Sequence, residues 1–129
     1  MRLADAARIQ LTTFDATGTP TVSHEWVVDL GADRVGFWTP HATPWELRLA
    51  LTPVVSVQAA DGRGRPLREQ PVFEGRAELV LDGPELDAAR ALTNAKYGVG
   101  AKLAKVIDRA WELGGTVSPE CAVVVTVVG

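Results

Sequence analysis

Apolar and polar residues alternate with a period of two along much of this chain, which marks those stretches as strands, since successive strand side chains point to opposite faces. Ile9-Gln10-Leu11-Thr12-Thr13-Phe14 is rich in β-formers, and Asp15-Ala16-Thr17-Gly18-Thr19-Pro20 after it has the composition of a turn. From Thr21 to Leu30, the residues Val22, His24, Trp26, Val28 and Leu30 share one face, and Thr21, Ser23, Glu25, Val27 and Asp29 share the other. Gly31-Ala32-Asp33 reads as a tight hairpin and Arg34 to Trp38 as the returning strand, so these three strands are expected to form a meander. Val54 to Ala60 gives a fourth strand. In the fifth, Phe73, Gly75, Ala77, Leu79 and Leu81 alternate with Glu74, Arg76, Glu78 and Val80, one face buried and one wet. The last, Ala122 to Val128, is too uniformly apolar for an edge facing water and is expected to be covered on both sides, inside a barrel or at a subunit contact.

Helical signals fall between these strands. Residues 3–8 suit a short lead-in helix. Thr43 to Leu51 suits another, with Thr43 as its cap, Pro44 in its first turn and Pro53 as its stop. Pro84, Glu85 and Asp87 open a helix whose apolar stripe is Leu86, Ala89 and Leu92. After Tyr97-Gly98, the spacing of Val99, Leu103, Val106, Ile107 and Ala110 predicts a further one. Six strands with a helical insert before the last, and no regular βαβ alternation, predict a mainly β fold, a closed six-stranded barrel. A small barrel is filled by its own side chains, so a ligand is expected in an outer groove that a second subunit would complete.

At 129 residues, 47% hydrophobic and 22% charged, the chain reads as one domain, 1–129, with a real core. No apolar run approaches the roughly 20 residues a membrane span needs. Asp5 stands where a signal peptide would be apolar, so a cytoplasmic protein is expected. The net charge of -3 gives no general pull toward nucleic acid or an acidic membrane. Cys121 is the single cysteine and His24 and His41 the only histidines, with no metal-ligand spacing among them, and no G-x-S-x-G nucleophile turn occurs.

Two segments carry candidate binding chemistry. Gly62-Arg63-Gly64-Arg65 lacks the spacing of a nucleotide-binding loop and is either a solvated hairpin tip or a basic loop whose Arg63 and Arg65, with Arg68 nearby, grip an anion. Trp38-Thr39-Pro40-His41-Ala42-Thr43 leads from a strand into a helix N-terminus, where backbone N–H groups and the helix dipole suit a phosphate, and Arg48 one turn on adds charge; simple capping is the alternative. Trp26 and Trp45 are candidates to line a flat slot for a tricyclic ring, whereas Trp38 reads as core and Trp111 as helix packing; for any single one of the four, core is the better reading.

The segments Leu11-Thr12-Thr13-Phe14, Gly18-Thr19-Pro20, Trp26, Gly36-Phe37-Trp38-Thr39, Thr52-Pro53-Val54-Val55, Asp61 to Pro66, Phe73-Glu74-Gly75-Arg76-Ala77 and Ala95-Lys96-Tyr97-Gly98 occur in this order. Together they resemble the pyridoxamine-phosphate-oxidase-like (PPOX-class) F420-dependent oxidoreductases of the FMN-binding split-barrel superfamily, from about Ile9 to the last strand. The resemblance implies a split-barrel homodimer with coenzyme F420, or alternatively FMN, between the subunits. It also implies hydride transfer between the cofactor and a small conjugated substrate, with no side-chain nucleophile. Under it, the cofactor-binding residues are Trp26, Thr39, His41, Thr43, Trp45, Arg48, Arg63 and Arg65, and there is no metal site. Relatives usually place a lysine near the start of the short helix and often another basic residue two positions on; Trp45 and Leu47 occupy those places here. That departure keeps a second class of function open, a non-catalytic split barrel that binds a ligand or carries a cofactor.

Overall fold

The computed structural model describes residues 1–98 and 119–128. The helix expected around Val99 to Ala110, and Trp111, lie outside the described residues. Seven antiparallel strands form one sheet: β1 (Arg8–Phe14), β2 (Pro20–Glu25), β3 (Val28–Gly31), β4 (Arg34–Thr39), β5 (Val54–Ala60), β6 (Val72–Val80) and β7 (Cys121–Val128). Two helices, α1 (Ala42–Leu49) and α2 (Pro84–Tyr97), complete the described chain, and the expected lead-in helix is a single 3-10 turn, Leu3–Asp5.

The spatial order is β2-β1-β5-β6-β7-β4-β3. The two edge strands, β2 and β3, are joined in the chain only by Trp26 and Val27. The three steps from Glu25 to Val28 span at most about 11 Å, so the sheet must curl until its edges almost meet. This is a barrel split along one seam, and the seam is bridged by the chain instead of by a hydrogen-bonded ladder.

This seam accounts for the strand count. The sequence reading ran one strand from Thr21 to Leu30 and so expected six; the structure breaks it at Trp26-Val27 and has seven. Val27 and Val28 are both buried, which a pleated strand with one wet face cannot achieve for neighbours in sequence. The chain turns a corner there, and β2 and β3 lie at opposite ends of the sheet, so the expected meander does not form.

The barrel core is built by the inward positions of each strand. Ile9 and Leu11 from β1, Phe37 from β4, Val55 and Val57 from β5 and Val123 and Val125 from β7 are fully enclosed. Burying side chains of this size contributes about 1.5–3 kcal/mol each. At Gly75 of β6 a Cβ would stand 2.6 Å from Val125 Cγ1, so this strand approaches β7 only because the residue is glycine. The outer side of the sheet is covered locally by α2, whose Leu86 and Ala89 pack on Trp38 and Ala122. That layer explains why β7 is buried on both faces from Cys121 to Val125, as its composition predicted.

Candidate functional site

The sequence-derived candidates fall into two groups. Thr39, His41, Thr43, Trp45 and Arg48 gather at α1, at the barrel end where β1 finishes and β2 begins. Trp26, Arg63 and Arg65 gather at the other end, where β1 begins and β2 finishes. Arg48 touches Thr13 at one end, and Arg8 touches the arginine loop at the other. The five-residue step from Arg8 to Thr13 corresponds to about 17 Å of strand, and Thr13 faces the core whereas Arg8 faces outward with Gln10 and Thr12. One chain therefore does not bring the two groups into a single pocket.

At α1, the expected cap is displaced by two residues. His41, and not Thr43, is the N-cap residue, with no side-chain cap bond; its own N–H donates to Thr39 Oγ1 at 3.3 Å. The Ala42 N–H donates to the Pro119 carbonyl at 2.9 Å. Pro44 has no N–H to offer. Of the donors that normally make a helix N-terminus attractive to a phosphate, only that of Thr43 has no partner among the described residues. Trp45 lies in the core, 4% exposed, its ring edge-on to Phe37 at 5.0 Å; the helical period turns it inward, so it lines no slot.

Arg48 is also committed. Its guanidinium lies 4.1 Å over the Trp45 ring, and it donates to Thr13 Oγ1 at 3.1 Å, to the Thr21 carbonyl at 3.2 Å and to Ser23 Oγ at 3.4 Å. Burial lowers its pKa, with the nearby Glu25 opposing that effect. It pins α1 to β1 and β2.

Glu25, next along the inward face of β2, was not among the sequence candidates. Burial pushes its carboxyl up to about 7, against the opposing influence of a Ser23 hydrogen bond and of Arg48 and Arg8. Its one sequence signal was its place opposite His24 in the alternation. Cys121 is enclosed, and burial raises its thiol to about 12, which removes it as a nucleophile. Among the described residues no group of three His, Cys, Asp or Glu side chains is placed to hold a metal ion.

The second group sits on the outer face. Asp61 organises the arginine loop: its carboxylate accepts the N–H groups of Arg63 and Arg65 and pairs with Arg65 Nε at 3.1 Å. Those bonds hold its pKa below the usual carboxylate range. Gly64, at φ 83°, packs on the His24 ring, where a Cβ would come within 3.0 Å, and His24 Nε2 lies 3.2 Å from Gln10 Oε1. Arg8, another residue the sequence did not single out, donates to the Gly62 carbonyl at 3.2 Å and lies over the Trp26 ring at 5.4 Å. Tyr97 stacks on that ring, centroids 5.2 Å apart and planes 15° from parallel. Trp26 is thus a half-buried corner residue already stacked by its own chain. Arg63 and Arg65 are exposed, and the Arg63 guanidinium has no partner among the described residues. This loop suits an anionic group; α1, with one N–H and no uncommitted basic side chain of its own, suits a phosphate poorly.

Three cavities of the described surface bear on binding. One, of about 490 Å³, lies between residues 1–4 and the β3–β4 hairpin; Phe73 and Val127 also line it. A second, about 300 Å³, lies between α1 and the β1–β2 turn, beside the exposed Leu47 and Leu51. The third, also about 300 Å³, lies beside Lys96.

No protein-family profile matches the sequence, and no curated protein does. Solved structures do match the fold. HutZ, the heme storage protein from Vibrio cholerae, is 18% identical, covers 98% of this chain and 85% of its own, and superposes with a TM-score of 0.66. A protein named for pyridoxamine 5'-phosphate oxidase, from Lactobacillus delbrueckii, is 16% identical over 98% of this chain and 84% of its own, TM-score 0.58. An F420 reductase is 19% identical over 98% of this chain and 91% of its own, TM-score 0.56. The chain has the split-barrel fold that these proteins share, as its motifs implied.

Proposed function

We propose that this protein is a cytoplasmic split-barrel homodimer that binds a flat, anionic cofactor of the flavin and deazaflavin class between its subunits. Within that class we propose coenzyme F420 in preference to FMN, serving the reduction of a small conjugated substrate. The observation that carries the reading is the agreement of fold along nearly the whole of both chains with a solved F420 reductase. The division of the candidates into two groups, about 17 Å apart and on opposite faces of the sheet, supports a site completed by a second copy. The α1 end of one subunit would face the arginine loop of the other.

When bound, the deazaflavin supplies a hydride from its ring. This chain's part is to bind and orient. Arg63 and Arg65 would neutralise an anionic tail, and the Thr43 N–H would offer a single donor to a phosphate oxygen. The enclosed barrel wall excludes water from one side. The test is a fluorescence titration of purified protein with coenzyme F420 and, in parallel, with FMN, alongside the mass in solution by light scattering. Saturable quenching by F420 at micromolar concentration and a dimer mass support the reading. A monomer with no saturable response to either cofactor overturns it.

The committed donors of α1 favour a second reading, a split barrel that carries a ligand without redox chemistry. The same titration separates the two: binding without any reductase turnover across a panel of quinones and enones selects the carrier.

A further inference from the structure

The seam between β2 and β3 has no ladder to close it, so something else must hold the two edges in place. Val27 lies in the break, where its carbonyl has no strand partner, and a buried carbonyl left unpaired is costly. The end of α2 meets that need. Lys96 Nζ lies 2.9 Å from the Val27 carbonyl, 2.9 Å from that of Ala4 and 2.8 Å from that of Ala6. An ammonium has three protons to donate, and all three are used. Tyr97 Oη lies 2.8 Å from the same Val27 oxygen and 2.9 Å from the Ala7 oxygen; with one proton it serves the two in turn. The tyrosine ring is the one stacked on Trp26.

We propose that Lys96 and Tyr97 form a latch across the open seam of the barrel, and that they act as positioning residues for the Trp26 corner and the arginine loop beyond it. Three separate segments converge on the latch: the residues before β1, the β2–β3 corner and the last turn of α2. The α2 macrodipole favours a cation at this end. Asp5 and Asp29 are the acids near Lys96; burial lowers its pKa and they oppose that. The latch reaches the loop through Ala7 and its neighbour Arg8, which holds the Gly62 carbonyl and covers Trp26. Lys96 touches neither the loop nor a place for the cofactor, so its effect on binding is indirect. The binding consequence rests on the proposed function; the latch does not.

The test uses the full chain as wild type, Lys96→Met and Tyr97→Phe. Amide hydrogen exchange reads the latch without any ligand, the near-ultraviolet circular dichroism of Trp26 reads the corner, and F420 fluorescence titration reads the site. Lys96→Met is expected to speed exchange at residues 3–8 and 27–28 by at least about tenfold, the factor for losing one charged hydrogen bond, and to change the tryptophan band. The amides of β5, β6 and β7 should change less. Tyr97→Phe, which keeps the stack and removes only the shared hydroxyl, is expected to act in the same direction by a smaller factor, and it carries the test if Lys96→Met does not fold. Uniform acceleration across the sheet, or none at the corner, overturns the latch. If exchange rises locally but wild type and Lys96→Met bind F420 equally, the positioning role is overturned. If wild type binds no cofactor, the proposed function fails, and the exchange data alone decide the latch.

Discussion

Replacing Glu25 by Gln isolates the energetic cost of one carboxylate on the inner face of the barrel. Burial raises this group from 4.5 to about 7 in the folded protein. The sign follows from proton binding: between those two values the folded state keeps a proton that the unfolded chain has released, so stability falls as pH rises through the window. The contribution is complete below about pH 4.5 and gone above about 7. At about 1.4 kcal/mol per pH unit the ceiling is about 3 kcal/mol, and partial contact with solvent lowers the expected value to about 1–2 kcal/mol. Gln cannot ionise and has nearly the same shape. Urea unfolding followed by tryptophan fluorescence, at pH 5, 6, 7 and 8, should show the variant gaining on wild type by about 1–2 kcal/mol across the range. Comparing the two proteins cancels the contribution of every group they share. Curves that stay parallel within about 0.5 kcal/mol, or a variant that loses ground as pH rises, would refute the assignment of a buried, proton-holding Glu25.

Three further outcomes are expected. Trp45→Lys places a charge in the core against Phe37 and removes the ring beneath Arg48, so it should destabilise by at least about 3 kcal/mol in chemical denaturation. Leu47→Lys restores a basic residue at a position 75% exposed on α1 and should tighten cofactor binding by about tenfold with little change in melting temperature; unchanged affinity places the phosphate elsewhere. Ala32 sits at φ 51° in the β3–β4 hairpin, between Gly31 and Asp33, which also have positive φ. Ala32→Gly removes the Cβ clash of that conformation and should stabilise by up to about 1 kcal/mol, read as a higher melting temperature.

The barrel was legible because its inward positions alternate with outward ones, as in Ile9, Leu11 and Thr13 of β1 or Gly75 and Ala77 of β6. The break at Trp26-Val27 was not. Local periodicity runs through it without interruption, and the partner of the Val27 carbonyl there is Lys96, far along the chain, which no side-chain pattern records. The binding groups were legible as residue types but not as availabilities. Arg48 looked like a free cation one turn into a helix; only the fold shows that Thr13, Thr21 and Ser23 already claim it. Trp45 offers the flat aromatic surface of a slot residue, with core packing the better reading for any single tryptophan, and the helical period points it at Phe37. Arg8 stands in the sequence as an isolated charge in a strand, and Glu25 only as the residue on the face opposite His24, because the surroundings of both come from other elements.

The place of β7 in the strand order has a consequence for how the protein is made. It lies between β6 and β4 and, among the described residues, is the only strand that joins the group β2-β1-β5-β6 to the pair β4-β3. A growing chain therefore holds two sheet fragments, one of four strands and one of two, with unpaired edges, until Cys121–Val128 has left the ribosome. The barrel cannot zip up from its N-terminus. Its assembly waits for β7, and the exposed edges of β6 and β4 are the surfaces on which a newly made copy is most open to pairing with the wrong strand.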